Sequence, residues 1–176
     1  MMEMLRERTE QKLRFAKLHF DELASVPSGS GDDFERSHLE AFLAQLLGAF
    51  DALLSELNVA LGCHRDPADV SLGKLRKSLQ TQRRSSEVLR RIYEIQQDEG
   101  SWLRRLQDLR HAATHRRGVP LAFHLGGPLH RKVSFKHPGT FEEFPDHAGA
   151  TLAAWLDDMR TLIDESRQQV LREMAG

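Results

Sequence analysis

Large apolar residues recur every three or four positions along most of the chain, which is the spacing of one face of an α-helix. The first stripe predicts a helix over 3–24, which a Pro- and Gly-containing stretch ends. A second helix is predicted from a cap at Asp32 or Asp33 to a C-terminal turn at Gly62. Its apolar stripe over 39–61 is wide enough to pack on two neighbouring helices or at a dimer seam.

A third long helix is predicted from Ser85 or Ser86, which are suited to capping its first turn, to a stop at Gly118. Gly100 is a point of interruption within it. The polar connection that precedes this helix contains a short helical pattern over 72–79.

Between about 119 and 137 the apolar period changes from helical to alternating, with a Gly-Gly-Pro turn at 126–128, which predicts a β-hairpin. A loop over 138–145 and a last helix over about 147–174 follow. The sequence therefore predicts an all-α fold, a four- to five-helix bundle with a small β-hairpin insertion, in one domain over 1–176.

Charge is distributed unevenly although the net charge of the 176 residues is −1. The segment 72–137 holds 15 Lys and Arg residues against 5 Asp and Glu residues, and the remainder holds 10 against 21. A positive middle between acidic ends predicts either a surface for polyanions or an internal docking of acidic on basic segments. Solvated, Arg-rich helix faces are the simpler alternative.

Composition narrows the class of protein. With one cysteine, Cys63, the chain has no intramolecular disulfide and no cysteine-based zinc site. The start of the chain lacks the pattern of a secretory signal, and its apolar runs are shorter than a membrane span needs. We expect no membrane association and a cytoplasmic location.

The end of the third predicted helix carries the most informative segment, Arg110-His111-Ala112-Ala113-Thr114-His115. This segment resembles the signature of the HEPN superfamily, which lies late in a helical bundle. The signature has an Arg, a polar residue at the next position, and a His that is separated from the Arg here by four residues. The specific match covers only these six residues, whereas the bundle pattern covers most of the chain.

The resemblance implies a metal-independent endoribonuclease of a toxin or defence type, without a cofactor, that acts on RNA as a homodimer. Two copies of the motif would face each other in a basic cleft. Arg110 would stabilise the transition-state charge and orient the phosphate, His115 would be the general acid or base, and His111 would assist. RNA backbone would be held by four arginines: Arg104, Arg105, Arg116 and Arg117. An antitoxin or other regulatory protein is a further candidate partner.

The residue types suit this chemistry. Attack by the 2′-OH on the phosphate needs one proton removed and one donated, and histidine titrates near neutral pH. A guanidinium presents a fixed fork of donors to phosphoryl oxygens. On an ideal helix Arg110 and His115 lie about 140° apart. The motif therefore requires a distorted helix end or a site shared between two chains.

Several alternatives stay open. His111 and His115 share one helix face and could form part of a metal site, and Arg110 could close the bundle by pairing with Asp157 or Asp158. Arg117 stands where one toxin group of the superfamily carries a Tyr, so control through that Tyr is not implied. The chain could also be a non-catalytic HEPN-like module that binds nucleotide or RNA, or a helical protein-interaction module.

Overall fold

Helices form most of the computed structural model, which describes residues 1–25, 32–114, 119–123 and 133–175. The described helices are α1 (Met2–Ser25), α2 (Asp32–Ala60), α3 (Leu72–Thr81), α4 (Glu87–Gln97), α5 (Trp102–Thr114) and α6 (Ala148–Ala175). The described strands are β1 (Leu121–Phe123), β2 (Val133–Lys136) and β3 (Glu143–His147). The predicted all-α bundle with a small β-hairpin is confirmed.

Helix α2 forms the centre of the bundle and packs against α1, α5 and α6. Its stripe residues Phe42, Leu43, Leu46 and Leu53 are fully buried. By length and composition, residues Asp33–Ala60 could also cross a membrane, a test that the core helix of a bundle passes equally. The wide apolar stripe is thus used for packing against several neighbouring helices.

The C-terminus of α2 is closed by the glycine that the sequence predicts. Gly62 has a φ of +64°, a conformation that glycine adopts at low cost. The Gly62 N–H donates to the Val59 carbonyl at 3.2 Å and the Cys63 N–H donates to the Asn58 carbonyl at 3.0 Å. These two bonds form a Schellman motif, which satisfies carbonyls left free at the helix end.

The predicted third long helix is divided into α4 and α5 at Gly100, the residue expected to interrupt it. Ser86 caps α4, because its hydroxyl accepts a hydrogen bond from the Leu89 N–H at 3.4 Å. The Ser101 hydroxyl donates to the Ile95 carbonyl at 2.6 Å across the break. With the division and the short helix α3, the described bundle has six helices.

Two antiparallel strands lie where the hairpin is predicted, and a third strand extends them, whereas the turn predicted at 126–128 lies outside the described residues. Strands β1 and β2 are antiparallel with Leu121 opposite Phe135, and β3 pairs antiparallel with β2. The loop predicted over 138–145 is wrong at its end, because β3 begins at Glu143. Phe144 is the one buried residue of this Pro-containing strand, and β3 therefore shows no alternating apolar pattern.

The sheet is attached to the helices by aromatic side chains. The Phe135 ring stacks on Trp155 of α6 with ring centroids 6.0 Å apart, and the Phe144 ring lies 6.1 Å from each of them. Arg105 of α5 lies over the Phe144 ring, 5.0 Å from its centroid. The insertion is therefore fixed on one side of the bundle, against α6 and one flank of α5.

A buried ionic contact joins the first, second and last helices. Arg167 of α6 donates from Nε to Glu56 Oε2 at 3.0 Å and from Nη2 to Glu56 Oε1 at 2.9 Å. Its Nη1 donates to Glu10 of α1 at 2.6 Å, and the Thr9 hydroxyl donates to Glu56 as well. These bonds satisfy the oxygens of a carboxylate that is almost fully buried.

Candidate functional site

A groove of about 630 Å³ lies where α1, α2 and α5 meet. Helix α5 contributes Gln107, Arg110 and His111, and α1 contributes Arg8 and Lys12. Helix α2 forms the floor together with two residues of the following connection: Ala44, Leu47, Gly48, Phe50, Asp51, Ala52, Ser55, Pro67 and Val70. Two residues of the sequence motif thus face a surface that carries further cations.

The apolar pattern of α5 determines which side chains reach the groove. Leu103, Leu106 and Leu109 are fully buried, which fixes the inner face of the helix. Arg110 follows directly after Leu109, so it lies about 100° around the helix from it, at the flank that meets α2. His111 is one residue further and lies at the rim of the same groove.

The cations of the groove are not neutralised by direct pairing. Neither Arg8 nor Arg110 forms an ion pair within 4.0 Å with any residue in the described part of the chain. By contrast, other basic side chains form ion pairs, such as Arg104 with Asp108 of its own helix at 3.2 Å and Arg91 of α4 with Glu165 of α6 at 2.7 Å. The groove therefore presents positive charge that is available to an anion.

Asp51 is the carboxylate among the described lining residues, and the charges of Arg8 and Arg110 affect its pKa. Burial by the groove walls raises the pKa of Asp51, while the charges of Arg110 and Arg8 oppose that shift. The side chain keeps contact with solvent at the groove mouth. A carboxyl group whose pKa is raised, in a groove that also holds two arginines, is a candidate for proton exchange.

Lys12 is held across the floor of the groove. Its Nζ donates to Gln45 Oε1 at 3.0 Å, a neutral partner that leaves the positive charge in place. The stem of this lysine runs over Gly48, where an added Cβ would lie 3.2 Å from Lys12 Cδ. The absence of a side chain at this position lets the lysine lie flat against α2.

The predicted site residues fall into three groups. Arg110 and His111 lie together at the groove, whereas Arg104 and Arg105 lie away from it. Arg104 pairs with Asp108 on its own helix, and Arg105 contacts the sheet through Phe144. Three predicted residues lie outside the described residues: His115, Arg116 and Arg117.

Arg8, Lys12 and Asp51 complete the groove, and sequence reasoning missed all three. Asp51 carried a signal, because it is an acidic residue between Phe50 and Ala52 within the most apolar helix. Arg8 and Lys12 are four residues apart and share one helix face. They lie in the part of the chain where acids outnumber bases, which concealed them in the charge count.

Two alternatives can be compared with the structure. Asp157, a predicted partner of Arg110, instead accepts a hydrogen bond from Arg160 of its own helix at 3.3 Å. Within the described ranges no group of three or more His, Cys, Asp or Glu side chains is placed to hold a metal ion.

Comparison with protein families gives one match. A model described as a family of unknown function, DUF6586, matches residues 1–172. No curated protein and no solved structure matches the chain.

Proposed function

The chain belongs to the DUF6586 family, and we propose that it is a metal-independent endoribonuclease of the HEPN type that binds RNA phosphates in the groove between α1, α2 and α5. The toxin or defence role, the homodimer, the cytoplasmic location and regulation by a partner protein are parts of the same proposal.

The observation that carries the proposal is the positive charge of the groove, whose arginines form no ion pair in the described part of the chain. Arg8, Lys12 and Arg110 face one open space against the single carboxylate of Asp51. Guanidinium groups free of local partners are suited to bind phosphate through paired hydrogen bonds. Because Arg110 also belongs to the motif, the phosphate-binding surface and the proposed reacting group coincide.

The roles follow from the groups at the groove. Arg110 binds the phosphoryl oxygens and stabilises the charge that builds on them during attack by the 2′-OH. His115 exchanges the proton of the reaction, and His111, which shares the groove with Arg110, assists it. A second copy of the chain would bring a second motif to the same RNA.

A non-catalytic module that binds nucleotide or RNA is the second candidate. This candidate is favoured because three helices of one chain form the groove, so that a phosphate could bind there without a second copy of the chain. Binding alone does not separate the two candidates, whereas cleavage does.

RNA binding is tested by fluorescence anisotropy with a labelled single-stranded RNA at several salt concentrations. Arg8→Ala and Arg110→Ala should each weaken binding and lower the salt slope by about 1, as the loss of one phosphate contact does. Arg160→Ala removes the same charge from an exposed position of α6 and should bind as the wild type does. Equal binding by all three variants would contradict the proposed groove.

Cleavage is tested on a structured RNA and a tRNA pool in EDTA. The wild type should leave 2′,3′-cyclic phosphate ends, and Arg110→Ala and His115→Ala should abolish the reaction. Salt-sensitive binding without cleavage of either substrate would favour the non-catalytic module. If the protein neither binds nor cleaves RNA, a protein-interaction role is favoured.

A further inference from the structure

We propose that Asp51 is the general base of the cleavage reaction, accepting the proton of the attacking 2′-OH while Arg110 holds the phosphate. This inference rests on the proposed nuclease function and adds to it a catalytic residue that the sequence motif does not contain.

The position of Asp51 is difficult to explain by binding alone. A carboxylate in the same groove as Arg8 and Arg110 opposes the approach of a phosphate, since like charges repel. If the groove served only to hold an anion, a neutral residue would serve it better. A role in proton transfer gives the carboxylate a reason to lie among the cations.

Asp51 is also held rigidly. It lies in the middle of α2, between Phe50, which is 2% exposed, and Ala52, which is 4% exposed. Both neighbours are fixed in the core, so the backbone of Asp51 does not move independently of the bundle. A reacting group on a packed helix keeps its geometry better than one on a loop.

Asp51 forms no ion pair within 4.0 Å in the described part of the chain, so its oxygens remain available to a substrate hydroxyl. The raised pKa of Asp51 supports the role separately, because a base acts best when its pKa approaches the pH at which it works.

The proposed step is balanced. The Asp51 carboxylate takes the proton of the 2′-OH, the 2′ oxygen forms a bond to phosphorus, and the bond from phosphorus to the 5′ oxygen breaks. The 5′ oxygen takes a proton from a histidinium, the role proposed above for His115, which His111 of the groove assists. The products are a 2′,3′-cyclic phosphate and a 5′-hydroxyl. Proton exchange with water then restores the carboxylate and the histidinium.

The test compares Asp51→Asn with Asp164→Asn, which removes the same charge from an exposed position of α6. Single-turnover cleavage is measured with saturating RNA from about pH 5 to about pH 9, and binding is measured by anisotropy. Asp51→Asn should cleave about 100-fold or more slowly and lose the rise in rate on the acidic side. Its binding should be unchanged or tighter, because a like charge has been removed.

Each other outcome has a distinct meaning. Cleavage by Asp51→Asn at the rate of Asp164→Asn would overturn the role of Asp51 and leave the nuclease proposal standing. Weaker RNA binding by Asp51→Asn would also overturn it, because the carboxylate would then organise the arginines. If the wild type cleaves no RNA while it binds RNA through the groove, both the nuclease proposal and this inference are overturned. Thermal unfolding of each variant checks that the fold is retained.

Discussion

Replacing Arg167 by methionine tests the buried ionic contact that joins α6 to α2. The Glu56 side chain is 4% exposed and the Arg167 side chain 18% exposed, and two hydrogen bonds join them. Methionine fills much of the same volume but cannot donate to the carboxylate. Glu56 would then keep the Thr9 hydroxyl, while its nearest other cation, Arg6, is 4.0 Å away and partly exposed.

The loss of stability in Arg167→Met comes from the buried carboxylate of Glu56, which loses its charged partner. Removing one partner of a buried ion pair destabilises a protein by about 3 to 5 kcal/mol. The contact of Arg167 with the partly exposed Glu10 contributes less than about 1 kcal/mol. For a domain of this size 1 kcal/mol shifts Tm by roughly 2 to 4 °C, so Arg167→Met should lower Tm by about 6 to 20 °C.

Urea unfolding followed by circular dichroism measures the change in the free energy of unfolding. Glu10→Gln is the control for the exposed part of the network and should cost less than about 1 kcal/mol. The double variant Glu56→Leu, Arg167→Met removes both charges and should recover much of the loss. A cost below about 1 kcal/mol for Arg167→Met would refute the stabilising role of this ion pair, as would a double variant that is as unstable as the single one.

Two further predictions concern the sheet and the groove. Phe135→Ala should destabilise the chain by about 3 to 5 kcal/mol, because the ring is fully buried against Trp155. RNA binding by the folded variant should be unchanged, since the sheet contacts the other flank of α5. Weaker RNA binding by Phe135→Ala at low temperature, where the variant is folded, would contradict this. Burial raises the pKa of Asp51 in the folded protein. The folded protein therefore loses stability as the pH rises above the pKa of an aspartate in the unfolded chain, about 3.9. The Tm of Asp51→Asn relative to the wild type should therefore increase from about pH 4 to about pH 7, and a constant difference would be inconsistent with the raised pKa.

Much of the fold follows from local sequence signals. The apolar stripes locate the long helices, and the glycines at 62 and 100 mark where two of them end or break. Strand β3 could not be found in this way, because its residues, Phe144 excepted, are exposed and form no apolar pattern. Such a strand is specified by its neighbour and has no apolar period of its own.

The candidate site was predicted only in part. Arg110 and His111 were identified from a local motif, but Arg8 and Asp51 reach them through packing between distant parts of the chain. The charge count over 72–137 was also an incomplete guide. Two of its arginines, Arg90 and Arg104, are paired with acids one helical turn away, which a sum over a segment does not reveal.

The origin of the groove cations in α1 and α5 has a consequence during synthesis of the chain. A nascent chain that has emerged only as far as α2 already carries Arg8, Lys12 and Asp51, but lacks the residues that α5 contributes to the groove. The groove closes when the segment through Thr114 has left the ribosome and packed on α2. Incomplete translation products that end before α5 therefore lack the groove, and the proposed phosphate binding requires chains long enough to include α5.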